Sequence, residues 1–400
     1  MAAHPRRRPK TVRIFVAGAT SMVLATALAA CGGGSLSSES SSGGGDSVKI
    51  GLVVPASGVY EPLGIDMTRG FELYLEQHSG ELGGREIEVV EADEGEGPDT
   101  GVPATTKLIT QDRVQAVVGL VNSATALGVK ETVVSSEVPL IVANAGADDL
   151  ADGSEYVWRT SFSNGAVGES LGATVAEEVG DAPVYVMAAD YAAGAESIAG
   201  FKKSFEAAGG TIAGESLTPF GTTSDYQPYL SKAQNSGAGA IYAFYAGAEA
   251  VSFVKQYKAF GLSESVQLYG AGFLTEGGVL AAQGQDALGV KTALHYSSLL
   301  DTTENQEFVE AYTEAYDAPP TAYAVQAYDA AAVLDAALEG AEGTDGAAIA
   351  AAIGELGEIA SPRGPWSFDD DHNPAQPYFL REVQDVDGTL GNAVVNQLNE

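Results

Sequence analysis

The chain has 400 residues, of which 54 are acidic and 20 are basic, so its formal net charge is −34. Such an acidic chain excludes nucleic acid as a partner, because binding to phosphates requires a positive patch. The length and a hydrophobic content of 45% predict two domains with substantial cores.

Residues 1–30 have the three parts of an export signal. A basic opening precedes an apolar run at residues 14–28, and two alanines follow before Cys31. The run is too short to cross a bilayer, because 15 helical residues cover only about 22 Å of a hydrocarbon core about 30 Å thick. Residues 1–30 are therefore predicted to be a signal peptide, with the general and twin-arginine export routes both open.

The segment Leu28, Ala29, Ala30 and Cys31 resembles the lipobox of bacterial lipoproteins. The resemblance implies that Cys31 carries a lipid and anchors the protein to the outer face of the cell membrane. Cys31 is the only cysteine, so it has no disulfide partner within the chain. Residues 31–46, rich in Gly and Ser, are predicted to be a flexible tether. The alternative is an ordinary secretory leader whose cysteine carries no lipid.

From residue 48 onward, predicted strands alternate with predicted helices. Strands are predicted at residues 48–54, 86–92, 115–119, 139–143, 183–188, 211–217, 240–245 and 266–270. Helices near residues 305–316, 321–339 and 345–356 precede a predicted hairpin between residues 366–368 and 378–386. The alternation predicts an α/β fold with parallel sheets, divided into two doubly wound (Rossmann-like) lobes.

Motifs that would indicate catalysis are weak in this chain. Residues 168–172 match G-x-S-x-G, which would make Ser170 the nucleophile of a secreted α/β-hydrolase. The spacing of Val167, Leu171 and Val175 instead places Ser170 within a helix. The four histidines are scattered, without the spacing of a metal site. The chain is therefore predicted to be a non-enzyme that needs no metal or cofactor.

The loops after the predicted strands contain the candidate binding residues, because open α/β sheets bind ligands at the carboxyl ends of their strands. A serine hydroxyl beside the first backbone amides of a helix suits a carboxylate, so Ser123 is a candidate. Its alternative role is the N-cap of that helix. The predicted ligand-binding residues are Tyr60, Asn122, Ser123, Asn144, Ala145, Gly146, Ala147, Tyr191, Tyr245 and Phe273.

The chain resembles the type I solute-binding proteins of ABC importers for branched-chain amino acids. The resemblance rests on residues 50–55, 117–119 with Ser123, 139–141, 158–160, Tyr191 with Gly194, 253–257 and 268–270. It implies three crossovers between lobes, with lobe 1 at residues 47–161 plus 296–362 and lobe 2 at residues 162–295 plus 363–400. It further implies a monomer that binds a small-molecule ligand and works with ABC permease and ATPase subunits.

Two positions depart from the amino-acid binders of that family. Ala147 aligns with their threonine, and Gly272 or Phe273 aligns with the acid that holds the ammonium, although a shifted alignment would bring in Glu276. A buried ammonium without an acceptor is unfavourable. The predicted ligand is therefore a small carboxylate with an aromatic or apolar body, as in a subgroup associated with aromatic acids. A branched-chain amino acid stays open as the ligand, and so does a sensor with the same cleft and no transport role.

Overall fold

The computed structural model describes residues 47–398. The predictions for the signal peptide, Cys31 and the tether lie outside the described residues and stay predictions. Within residues 47–398, no helix combines the length and the apolar character needed to cross a membrane.

The first half of the described chain builds a sheet covered by helices. Its strands are β1 (Val48–Val54), β2 (Glu81–Leu82), β3 (Arg85–Asp93), β4 (Ala116–Gly119), β5 (Leu140–Val142) and β6 (Val157–Arg159). Its helices are α1 (Glu61–Gln77), α2 (Pro98–Lys107) and α3 (Ser123–Ser135). The strand order is β2-β3-β1-β4-β5-β6, and only the two-residue β2 is antiparallel to its neighbour among these described strands.

A second sheet follows, and its helices again alternate with parallel strands. The helices are α4 (Asn164–Val179), α5 (Ala192–Ala207), α6 (Gln227–Asn235), α7 (Gly247–Ala259) and α8 (Gly278–Gln283). The strands in this part are β7 (Val184–Asp190), β8 (Ile212–Pro219), β9 (Ala240–Phe244), β10 (Gln267–Ala271) and β11 (Lys291–Leu294). The predicted α/β class with parallel sheets is confirmed.

The chain then returns to the first sheet before it ends in the second. Helices α9 (Thr303–Tyr316), α10 (Ala322–Gly340) and α11 (Gly346–Gly354) follow β11. Helix α10 packs so closely on α1 that a Cβ atom at Gly70 would lie 2.0 Å from the carbonyl oxygen of Ala324. We call the first sheet with α1–α3 and α9–α11 the first lobe, and the second sheet with α4–α8 the second lobe. The residue boundaries predicted for the lobes stay a prediction.

The predicted hairpin between residues 366–368 and 378–386 is wrong, because these two segments pair with other strands. The short strand β12 (Ser367–Phe368) pairs with β13 (Pro374–Ala375) in a separate ribbon. The following strand, β14 (Phe379–Val386), pairs with β15 (Thr389–Gln397) and with β11, so both last strands extend the second sheet. Strand β15 has no fully buried residue among those described. Its sequence therefore lacks the run of apolar residues by which a buried strand is predicted.

Candidate ligand-binding site

A cavity of about 350 Å³ lies between the lobes, at the carboxyl ends of their parallel strands. In the described part of the chain, α1, α3, α4, α5 and α10 each contribute a residue of their first turn, and α7 contributes its N-cap Ala246. The first backbone N–H groups of a helix have no partner within that helix and carry partial positive charge. No described residue that lines the cavity is Lys, Arg or His. Any positive potential at the cavity wall therefore comes from backbone amides and from neutral side-chain donors such as Ser123.

Most of the predicted ligand-binding residues meet in this cavity. Those that line it are Tyr60, Asn122, Ser123, Asn144, Gly146, Ala147, Tyr191 and Phe273. Ala145 does not line it, because this residue is fully buried and its N–H donates to the carbonyl oxygen of Leu120 at 2.9 Å. Tyr245 also lies elsewhere, packed against Phe253 in the core of the second lobe. Side chains alternate along a strand, so Phe244 at the end of β9 takes the cavity side and Tyr245 the opposite side.

The start of α3 presents a serine hydroxyl to the cavity. Asn122 is the N-cap, and its side-chain oxygen accepts the N–H of Thr125 at 3.1 Å. The alternative that Ser123 is the cap is therefore wrong. Ser123 Oγ accepts the N–H of Ala147 at 3.1 Å, which leaves the hydroxyl proton able to donate to an acceptor in the cavity.

Glu94 lies buried behind the start of α3 and was missed at the level of sequence. Its carboxylate accepts the N–H groups of Val121 at 2.7 Å and Asn122 at 2.9 Å. Burial raises the pKa of Glu94 to about 7, against the lowering effect of these two hydrogen bonds. Glu94 therefore holds the loop that leads into α3. The available signal was its position directly after β3, at the edge of the sheet where ligands bind.

The side chain of Asn144 hydrogen-bonds to a residue that does not line the cavity. Asn144 Nδ2 donates to Gln326 Oε1 at 2.9 Å, and Gln326 Nε2 lies 3.1 Å from His295 Nε2. Burial lowers the pKa of His295, and the charges of Arg363 and Arg381 lower it further, so the ring is neutral and accepts at Nε2. Asn144 thus links the cavity wall to α10 and to the segment after β11.

Aromatic side chains form much of the cavity wall. They are Tyr60, Phe162, Tyr191, Phe244, Phe273 and Tyr323. The ring centroids of Phe162 and Phe273 are 4.7 Å apart, and Tyr191 stacks on Phe220 at 4.4 Å. Burial raises the pKa of both Tyr60 and Tyr191, so their hydroxyl groups stay neutral. A small cavity with such walls suits a flat apolar body.

Glu196 is the only Asp or Glu among the described residues that line the cavity, and the sequence prediction missed it. It lies in the second turn of α5, whereas the predicted residue Tyr191 is the N-cap of that helix. Asn164 Nδ2 donates to Glu196 Oε2 at 2.9 Å. The other candidate acid, Glu276, does not line this cavity, because its carboxylate is paired with the buried Arg381 at 2.8 Å.

The G-x-S-x-G motif serves helix packing. Ser170 lies within α4, as predicted, and its Oγ donates to a carbonyl oxygen of the same helix at 2.9 Å. A Cβ atom at Gly168 would lie 2.2 Å from the carbonyl oxygen of Ser197, and one at Gly172 would lie 2.0 Å from Ser204 Oγ. The two glycines therefore let α5 approach α4. Among residues 47–398, no three His, Cys, Asp or Glu side chains are grouped as a metal site.

Comparison with known proteins agrees with this geometry. Residues 47–389 match the periplasmic binding protein family. Leu/Ile/Val-binding protein homolog 6 of Brucella melitensis biotype 1 is 32% identical over 354 residues, or 87% of this chain and 90% of that protein. A solute-binding protein of an ABC transporter from R. palustris, in complex with benzoate, is 38% identical with a TM-score of 0.80, over 88% of this chain and 96% of that one. Another, from Rhodopseudomonas palustris BisB5 in complex with 3,4-dihydroxybenzoic acid, is 31% identical with a TM-score of 0.83, over 88% and 98%. The predicted two-lobed type I fold is confirmed.

Proposed function

The chain belongs to the periplasmic binding protein family, and we propose that it is the substrate-binding protein of an ABC importer for a small aromatic or apolar carboxylate. The observation that carries this proposal is the cavity itself, in which helix N-termini from both lobes face aromatic side chains. Helix N-termini favour an anion, and aromatic walls favour a flat apolar body. The relatives that bind benzoate and 3,4-dihydroxybenzoic acid support the same ligand class.

In the proposed complex the ligand carboxylate lies at the start of α3. Ser123 Oγ donates to one carboxylate oxygen, and the first backbone amides of α3 donate to the other. The rings of Tyr60, Tyr191 and Phe273 then cover the body of the ligand. Contacts from both lobes stabilise the closed state, and the permease recognises that state and receives the ligand. The protein acts as a monomer without catalysis.

Isothermal titration with benzoate and with leucine tests the ligand class. The relative named Leu/Ile/Val-binding protein homolog 6 makes a branched-chain amino acid the alternative, so tight leucine binding without benzoate binding would refute the aromatic-acid proposal. Removing a hydrogen bond to a charged group weakens binding by about 10-fold or more, which is the expected effect of Ser123→Ala. Ser135→Ala is the matched control, because Ser135 lies exposed at the other end of the same helix.

Lipid anchoring of the protein on the outer face of the cell membrane is a separate proposal, since Cys31 lies outside the described residues. Replacing the cysteine in Cys31→Ser removes the sulfur that would carry the lipid. We expect the variant to move from the membrane to the soluble fraction with its ligand binding intact. Unchanged membrane retention would contradict the lipobox.

A deletion of the gene separates a transporter from a sensor. If the protein serves transport, cells that lack it should lose ligand uptake. If it is a sensor, its loss would change gene expression without changing uptake.

A further inference from the structure

We propose that Glu196 selects aromatic carboxylates that carry a hydroxyl or amino group, by accepting a hydrogen bond from that group. The inference rests on the proposed function and specifies its substrate class. It assigns the two ends of the ligand to different lobes. Ser123 in the first lobe receives the carboxylate, and Glu196 in the second lobe receives the donor on the ring.

The carboxylate of Glu196 is held in place within the wall of the cavity. Asn164 Nδ2 donates to Glu196 Oε2 at 2.9 Å, and the N–H of Asn164 in turn donates to the carbonyl oxygen of Gly146 at 2.8 Å. Asn164 is only 4% exposed, so it is a fixed support. The backbone of Asp148 is a further hydrogen-bond partner of Glu196. An ionised carboxylate accepts about four hydrogen bonds, so these two partners leave capacity for a ligand.

The charges in the cavity favour a ligand that donates a hydrogen bond to Glu196. A ligand carboxylate at Ser123 shares a cavity of about 350 Å³ with Glu196, and no cationic side chain among the described residues lines that cavity. Two carboxylates that share one cavity disfavour each other, and the half-buried Glu196 is less well solvated than a surface carboxylate, so leaving it without a donor is also unfavourable. Burial already raises the pKa of Glu196. A hydroxyl or amino group on the ligand satisfies the carboxylate, whereas unsubstituted benzoate provides no such donor.

The aromatic walls keep this recognition directional. The neutral rings of Tyr60, Tyr191 and Phe273 line the cavity together with Ser123 and Glu196. A flat ligand ring that packs among these rings therefore has two polar side chains to bind, one in each lobe. A polar site of this type discriminates against an analogue that lacks the donor, because the protein group is then left unpaired.

Titration of the purified protein with benzoate, 3-hydroxybenzoate, 4-hydroxybenzoate and 4-aminobenzoate tests the proposal. We expect at least one substituted acid to bind about 10-fold or more tightly than benzoate. In Glu196→Ala this preference should disappear, while benzoate binding stays the same or improves. Glu196→Gln keeps an acceptor oxygen and should retain part of the preference. Glu206→Gln, an exposed position on the same helix, is the matched control and should keep all of it.

Two results would overturn the assignment while leaving the proposed function intact. One is equal binding of benzoate and all substituted acids by the wild-type protein. The other is a loss of affinity in Glu196→Ala by the same factor for every ligand. Glu196 would then serve only as a contact between α5 and Asn164. If the wild-type protein binds none of the four acids, both proposals fail. Thermal unfolding of the free variants verifies that each one is folded.

Discussion

Glu94 should make the stability of the protein depend on pH. Its carboxyl group is fully buried, and burial raises its pKa from 4.5 to about 7. The folded state therefore binds the proton more tightly than the unfolded state does. The contribution of Glu94 to the free energy of unfolding is complete below about pH 4.5 and is lost as the pH rises through 7. A shift of this size corresponds to about 3 kcal/mol in total, of which about 2.5 kcal/mol is lost between pH 5 and pH 8.

The variant Glu94→Gln removes this titration. Urea unfolding of the wild type and the variant at pH 5, 6, 7 and 8 gives the difference in free energy of unfolding at each pH, in which the other titrating groups cancel. We expect the advantage of the wild type over the variant to shrink by about 2–3 kcal/mol from pH 5 to pH 8. The control Glu96→Gln makes the same substitution at an exposed carboxylate, which accepts the N–H of Val59. A difference between wild type and Glu94→Gln that is constant with pH would refute the reasoning.

Two further predictions concern packing and charge within the core. Asp329 Oδ2 lies 2.8 Å from Arg363 Nε with both side chains fully buried, so Asp329→Ala leaves a buried guanidinium unpaired and should lower the free energy of unfolding by about 3–5 kcal/mol. A loss below about 1 kcal/mol in urea unfolding would contradict this. A Cβ atom at Gly200 would lie 2.0 Å from the carbonyl oxygen of Gly165, so Gly200→Ala should separate α4 from α5 and cost about 1–3 kcal/mol. Gly340→Ala, with nothing within 4 Å of the added methyl group, is its control and should be neutral or stabilising.

The strands that the sequence predicts well are the buried ones of the parallel sheets. Strand β1 is nearly all β-branched or apolar and is buried at six of its seven positions, so composition alone marks it. Strand β6 has only three residues, and β15 is half-buried or exposed throughout its described length. Neither strand has a pattern long or apolar enough to stand out. Both are defined by the neighbours with which they pair, and pairing is not a local property of the sequence.

Some residues of the candidate site can be predicted from the sequence and others cannot, because the topology of the chain decides which segments reach the cavity. Ser123 and Tyr191 follow a parallel strand closely in sequence, and the rule that ligands bind at the carboxyl ends of strands finds them. Phe162 lies where the chain first passes between the lobes, and Tyr323 lies in the first turn of α10 after the chain has returned to the first lobe. Glu196 lies one turn into α5, where its side chain turns back toward the start of the helix. In a two-lobed fold, the first two turns of every helix that starts near the cleft are therefore candidates for the site. Glu196, the acid that we propose sets the specificity, lies in a helix and outside the loops that follow the strands.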